Sequence, residues 1–257
     1  MTETFVFQSA LRDFLRAKRV LVWLFISAAL FALAKVFLSV NPPQELDGAY
    51  ATLSTLFVFR VLPLASAIFS SAVIGQEVEQ KTIVYLLTRP IQRWKLVLFR
   101  MLGSAVAVIL VSTATLLAVS ASVYGNPFAN PMLVKDLMAI LIGALAYGSL
   151  FVFVTLLLNK AAMVVCLLFA FVWETAVPLM PGSMSLLSIG TYLNAIAQHP
   201  SSSESGGNLG NVANSLAINA VTPSNGWAAM IFATVFFAGL CMFWFEKFEY
   251  LPREDAE

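Results

Sequence analysis

The sequence predicts an all-α integral membrane protein with six transmembrane helices, and three observations support this prediction. Of the 257 residues, 60% are apolar and only 11% are charged, whereas a soluble domain carries about 25% charged residues. The mean hydropathy is +0.85, so a single soluble core cannot bury this much apolar surface. Charges are so sparse that six apolar runs can each cross a hydrocarbon core of about 30 Å.

Only helices and closed barrels satisfy all backbone hydrogen bonds in lipid, and the alternating pattern of a barrel strand is absent from the sequence. We therefore assign one transmembrane domain, 20–250, followed by a short tail, 251–257. The predicted spans lie at about 20–40, 53–75, 101–123, 137–159, 161–180 and 227–245.

An amphipathic helix in the membrane interface is predicted before the first span, over residues 1–19. Apolar side chains lie near one face and arginines near another: Phe7, Leu11, Phe14 and Leu15 against Arg12, Arg16 and Arg19. The alternative is a positively charged tail that only orients the first span. Asn41-Pro42-Pro43 does not resemble a signal-peptide cleavage site, so the first span is predicted to stay attached.

The basic residues predict the orientation. Positive charge accumulates on the cytoplasmic side of membrane proteins. Twelve basic residues fall on the side that holds both termini and only Lys135 falls on the other side. The twelve are Arg12, Arg16, Lys18, Arg19, Lys81, Arg89, Arg93, Lys95, Arg100, Lys160, Lys247 and Arg253. Both termini are therefore predicted to be cytoplasmic.

The segment between spans two and three, 76–100, is predicted to receive a soluble partner. A short helix is expected over 77–87, because apolar residues share one side of it and acidic residues occupy its first turn. Pro90 takes Arg89 out of helical geometry and suits the start of the next helix. Such a bent, charged helix pair can transmit a push into the membrane. The alternative is a solvated loop that binds anionic lipid.

Three ionisable residues, Lys35, Arg60 and Glu174, fall inside predicted spans, in the outer half. Lys35 is expected to extend to the outer interface. We predict that Arg60 and Glu174 form a pair, because a lone buried charge costs about 3–5 kcal/mol. Pairing would join span two to span five. If the two charges do not meet, Glu174 is a water-facing residue of the pathway.

The fifth predicted span is expected to break near its outer end. Pro178 and Pro181 break the helix before it leaves the membrane. A helix on the outer surface is expected within the outer loop 181–226, because apolar residues recur there at helical spacing. These residues are Leu186, Ile189, Leu193 and Ile196. The remainder of the loop is rich in Ser, Gly and Asn and is expected to be mobile or bound to an extracytoplasmic partner.

The sequence lacks the residues for several kinds of chemistry. His199 is the single histidine and is predicted in the outer loop, which excludes histidine metal sites and Ser-His catalysis within the membrane. No phosphate-binding G-x-x-x-x-G-K-[ST] motif is present. We therefore predict no enzymatic activity, no catalytic residue, no metal ligand and no cofactor bound by this chain.

The segment after span two resembles the coupling region of type-2 permeases of ATP-binding-cassette (ABC) exporters. The matching positions are Glu77, Glu79, Thr82, Leu86, Leu87, Pro90, Ile91 and Arg93. Six spans, the N-terminal amphipathic helix and the large last outer loop are also similar to that family. The chain departs from the family at Lys81, where many members have Gly, and at Arg100, near where a Gly-Lys pair often opens span three.

The resemblance implies that two permease chains, identical or different, form the substrate pathway in the inner membrane. Two separate ATPase subunits would bind ATP and dock on the coupling segment. Re-entrant helices near an outer gate would follow span five, in the region of Pro178 and Pro181. The rival prediction is a stand-alone secondary carrier or a membrane scaffold or assembly protein. Nothing in the sequence points to a nucleic-acid partner or identifies the cargo.

Overall fold

The computed structural model describes residues 11–14, 17–40, 46–73, 93–158, 161–179, 182–199 and 221–247. Within these ranges the chain forms helices joined by turns and contains no strand. The prediction of an all-α membrane protein is thereby confirmed. Of the predicted interfacial helix, 1–19, residues 11–14 and 17–19 are described, and both stretches are helical. Phe14 packs edge-to-face on Phe69 with ring centroids 6.2 Å apart.

Within the described residues, five helices are long and apolar enough to cross a membrane, one fewer than the six spans predicted. They are α1 (Ala17–Val40), α2 (Leu46–Ser71), α3 (Arg93–Tyr124), α4 (Leu133–Leu157) and α7 (Pro223–Lys247). Helix α2 contains a π-helical turn, Ser54–Val58. It begins at Leu46 rather than near residue 53, because the charged residues before Tyr50 end the apolar run but do not end the helix.

The fifth predicted span, 161–180, is shorter in the structure and is broken. Helix α5 (Ala162–Ala176) contains a π-helical turn, Phe169–Trp173. It is followed by a 3₁₀ turn at Val177–Leu179 that includes Pro178, and by a second 3₁₀ turn at Gly182–Leu187. A new helix, α6 (Ile189–Ala197), then begins.

Helix α6 packs alongside α4 and α7, inside the bundle. Leu193 is fully buried, and a Cβ atom at Gly143 of α4 would lie only 3.0 Å from it. Gly226, near the start of α7, gives α6 similar room, since a Cβ atom there would lie 3.2 Å from Ile196. The apolar spacing predicted this helix, but its apolar face contacts other helices at the depth of the spans.

The outermost helices of the bundle are α1 and α7. Only 17% of the apolar 18-residue stretch of each helix is buried, whereas half or more of the corresponding stretch is buried in α2, α3 and α4. Large apolar side chains therefore remain exposed along both helices, for example Phe25 and Phe232. Such surfaces suit contact with lipid or with another chain.

Candidate functional site

Arg60 and Glu174, the two charges predicted to pair, lie together in the structure. Arg60 lies two residues after a π-helical turn of α2, Ser54–Val58. Glu174 directly follows a π-helical turn of α5, Phe169–Trp173. Single π-helical turns inside α-helices occur frequently at functional sites. The two π-turns were not predicted, because no local pattern in the sequence indicates them.

The contact between these residues is not the predicted ion pair. Arg60 Nη1 donates to the backbone carbonyl of Glu174 at 2.8 Å and to Thr175 Oγ1 at 2.7 Å. Between these two described residues, no guanidinium–carboxylate contact lies within the 4.0 Å limit of a salt bridge. The residues therefore join span two to the fifth predicted span, as expected, but through the main chain of α5.

The Glu174 carboxylate instead binds the N-terminus of α6. Its Oε2 atom accepts hydrogen bonds from Ser188 Oγ at 2.6 Å and from Gly190 N at 3.1 Å, and Oε1 accepts from Ile189 N at 3.2 Å. The first N–H groups of a helix lack partners within the helix and carry partial positive charge. A carboxylate satisfies both needs, which explains why Glu174 turns towards α6. It is only 4% exposed.

The break between α5 and α6, with its contacts to α2, lies near the middle of the bundle. At 1.5 Å per residue, Glu174 is roughly 18 Å along the chain from Ala162, and Arg60 is roughly 16 Å from Ser71. Tyr147, which is also buried beside Gly190, is roughly 15 Å from Leu157. We call Arg60, Glu174, Thr175 and Ser188 the mid-span cluster.

A second buried polar cluster was missed by sequence reasoning. Asp136, in the first turn of α4, is fully buried. Its carboxylate accepts hydrogen bonds from the Tyr50 hydroxyl and from Ser54 Oγ at 3.3 Å. It also lies 2.7 Å from His199 Nε2. We call Tyr50, Ser54, Asp136 and His199 the outer cluster, since the charge distribution predicts this end of the bundle to be outside.

His199 is therefore not a free loop residue. Its side chain is 6% exposed and its ring stacks on Phe59 with centroids 5.5 Å apart. Nδ1 lies 3.4 Å from Thr55 Oγ1. Two features of the sequence could have indicated this cluster. His199 is the single histidine of the chain, and Asp136 is an acidic residue just before a long apolar run. Nothing local in the sequence indicated that they meet.

The two clusters hold the two ends of α6. Glu174 of α5 binds its N-terminus, and Asp136 of α4 binds His199, which follows its C-terminus. Asp136 and Tyr147 are separated by roughly 16 Å along α4. Helix α6 therefore extends from the middle of the bundle to its predicted outer end, between two carboxylates that are both buried.

Residues 5–249 match the family described as ABC-2 family transporter protein. The match covers nearly the whole chain and includes every helix described above. The chain belongs to the ABC-2 transporter family. No curated protein matches the chain significantly.

This ABC-2 chain is thus a multi-pass membrane permease of an ABC transporter, which confirms the resemblance stated from the sequence. The permease is a transport component and is not itself catalytic. Membership of the family implies an ABC ATPase and membrane lipids as partners.

The coupling residues predicted for this permease mostly lie outside the described residues. This applies to Glu77, Glu79, Thr82, Leu86, Leu87 and Pro90, and also to Pro181. Arg93 is the first residue of α3, but its side chain is not described. At the base of the predicted coupling segment, Arg100 Nη1 of α3 donates to the Val73 carbonyl at 2.8 Å. The contact joins the end of span two to the start of span three.

Proposed function

We propose that this chain is the transmembrane subunit of an ATP-driven ABC exporter. It forms the substrate pathway with a second permease chain, identical or different, in the inner membrane. Two separate ATPase subunits bind ATP and dock on the segment 76–100. The chain itself binds no cofactor.

The proposal includes six membrane crossings with both termini in the cytoplasm. Helices α1 to α4 supply four, α5 and α6 together supply a broken fifth crossing, and α7 supplies the sixth. Helix α5 spans about 22 Å and α6 about 13 Å at 1.5 Å per residue. Both termini then fall on the side that carries the twelve basic residues, as the positive-inside rule requires.

The observation that best supports coupling is the position of α2. This helix contacts α5 through Arg60 and contacts α4 through Tyr50 and Ser54. It ends just before the predicted docking segment, and Arg100 holds that end to α3. A displacement of the docking segment would therefore reach both clusters that hold α6. This gives the ATPase a continuous mechanical route to the predicted outer gate.

The test is reconstitution of the affinity-purified chain with the ABC ATPase that co-purifies with it. The variant Glu77→Ala/Glu79→Ala is expected to lose most of the stimulated ATP hydrolysis, while insertion into the membrane is unchanged. Glu246→Ala is the matched control, because Glu246 is an exposed acidic residue at the same end of the bundle. Equal coupling in all three proteins would contradict the proposed docking segment.

The rival functions predict different results in the same vesicles. A secondary carrier would transport in response to an ion gradient without ATP. A scaffold would show neither activity. The exporter requires ATP and the partner subunit, so omission of either is expected to abolish transport.

A further inference from the structure

Arg60 is a cation in the middle of a membrane span whose hydrogen-bonding groups are only partly used. Nη1 makes two hydrogen bonds, to Glu174 O and Thr175 Oγ1. Among the described residues, Nε and Nη2 have no hydrogen-bond partner. Neither of these two atoms is buried. The open edge of the guanidinium therefore faces the surface that the described residues form.

The described residues supply no free anion for that open edge. The carboxylates at the depth of the spans in the described residues belong to Asp136 and Glu174, and both are almost completely buried. Each already accepts several hydrogen bonds from neighbouring residues. A second copy of the described helices would bring the same two buried carboxylates, so it would not supply a free one either.

Lipid headgroups do not reach this position. Arg60 lies roughly 16 Å from the nearer end of α2, which is farther than one side chain extends towards the interface. Charged residues at such depth almost always face a bundle interior or a water-filled cavity, and they mark substrate pathways. This tendency favours a position of Arg60 on a face that lines a water-filled cavity.

Exposed apolar side chains lie one helical turn from Arg60 and from its partner Thr175. Leu56, one turn before it in α2, is 50% exposed. Phe171 and Val172, one turn before Thr175 in α5, are also well exposed. A guanidinium presents paired N–H donors that match carboxylate and phosphate oxygens. One cation among exposed apolar side chains complements a molecule with an anionic group and an apolar body.

We propose that Arg60 binds the anionic group, a phosphate or a carboxylate, of an amphiphilic cargo in the transport pathway. This inference rests on the proposed exporter function and names the chemical class of its cargo. Leu56, Phe171 and Val172 would contact the apolar part of the cargo. Thr175 and the Glu174 carbonyl hold the guanidinium in place.

The experiment measures binding of radiolabelled n-dodecyl phosphate to the full chain in nanodiscs of neutral phosphatidylcholine, above the background of empty nanodiscs. Arg60→Gln is expected to weaken binding by about tenfold or more, the size of one charged hydrogen bond. Lys35→Gln is the matched control, because Lys35 is an exposed cation of another span. It is expected to bind like the wild type, and neutral n-dodecanol is expected to bind all variants equally weakly.

Arg60→Lys guards against misfolding, since it keeps the positive charge. It is expected to melt near the wild-type temperature and to bind less tightly than the wild type, because an ammonium lacks the paired donors, but more tightly than Arg60→Gln, because it keeps the charge. Equal binding by wild type and Arg60→Gln would overturn the proposal. So would an equal loss in Lys35→Gln, or a loss in a well-folded Arg60→Lys protein as large as in Arg60→Gln.

A second arm separates cargo from bulk lipid. In nanodiscs of anionic phosphatidylglycerol, binding of dodecyl phosphate is expected to persist. Its disappearance there would assign Arg60 to a lipid headgroup and overturn the cargo assignment. The binding measurement requires no ATPase, so failure of the chain to capture an ATPase would contradict the exporter function without changing this result.

Discussion

Asp136 is a buried carboxylate that accepts hydrogen bonds from side chains distant in the sequence. Tyr50 and Ser54 approach from α2, and His199 approaches from the segment after α6. Each donor compensates part of the cost of removing the carboxylate from water. The stability of the predicted outer end therefore depends on this residue more than on any exposed charge near it.

We expect Asp136→Ala to lower the free energy of unfolding by about 2–4 kcal/mol, because it leaves buried donors without an acceptor. Asp47→Ala is the control. Asp47 accepts a hydrogen bond from Tyr124 at 2.5 Å, but it is exposed, so its loss is expected to cost less than about 1 kcal/mol. The measurement is thermal unfolding in one detergent. Equal effects of the two substitutions would show that the buried cluster is not important for stability.

Gly190 lies against the contact between the Glu174 carboxylate and the N-terminus of α6, near the middle of the bundle. A Cβ atom at this position would lie 2.9 Å from Glu174 Oε2, so an alanine pushes the carboxylate away from the N-terminus of α6. We expect Gly190→Ala to destabilise the protein by about 1–3 kcal/mol.

The control for Gly190→Ala is Gly239→Ala, since nothing lies within 4 Å of a Cβ atom at that helical glycine. Alanine there is expected to be neutral or to stabilise by about 0.5–1 kcal/mol. If Gly190→Ala melted at or above the temperature of Gly239→Ala, the Glu174 contact would not have the strength that its geometry suggests.

At the scale of elements, the packing of α6 against α4 depends on one small residue. A Cβ atom at Gly143 would lie 2.8 Å from Leu62 and 3.0 Å from Leu193, so α2, α4 and α6 meet at this point. Small residues permit such close approach of helices in membranes. The position of α6 is thus determined by packing in its middle and by carboxylates at its ends.

We expect Gly143→Ala to destabilise by about 1–3 kcal/mol through overpacking. The double variant Gly143→Ala/Leu193→Ala is expected to cost less than the sum of the two single changes, since the shorter side chain makes room for the new methyl group. Gly148→Ala in the same helix is the control, because its nearest contact is an ordinary 3.8 Å to Ser70 Oγ. Strict additivity of the Gly143 and Leu193 effects would contradict the packing described for α6.

At the scale of the whole molecule, the sequence predicted what depends on local composition. Uncharged runs predicted long apolar helices, and Pro178 predicted that the fifth one would break. The contacts of Asp136 with Tyr50 and His199 were missed, because they join residues far apart in the chain. The direction of the Glu174 carboxylate was predicted wrongly, since the sequence does not reveal that a helix N-terminus lies beside it.

The helix boundaries were also predicted only in part, because local composition does not determine them. Span two was predicted to start near residue 53, whereas the helix begins at Leu46 and includes the charged residue Asp47. Hydropathy reports where lipid begins, and backbone hydrogen bonding decides where a helix begins. The two π-turns were equally unpredictable, because each inserts a residue into a helix that has normal apolar composition.

In the proposed exporter, ATP-driven movement of the docking segment reaches α6 through α2. The most direct measurement is the distance between spin labels at Lys135 of α4 and Gln198, which follows α6. Their side chains are exposed and joined by a hydrogen bond of 2.8 Å. In the reconstituted complex, a non-hydrolysable ATP analogue is expected to lengthen this distance by several ångströms, and Glu77→Ala/Glu79→Ala is expected to suppress the change. An unchanged distance in a complex that hydrolyses ATP would contradict the claim.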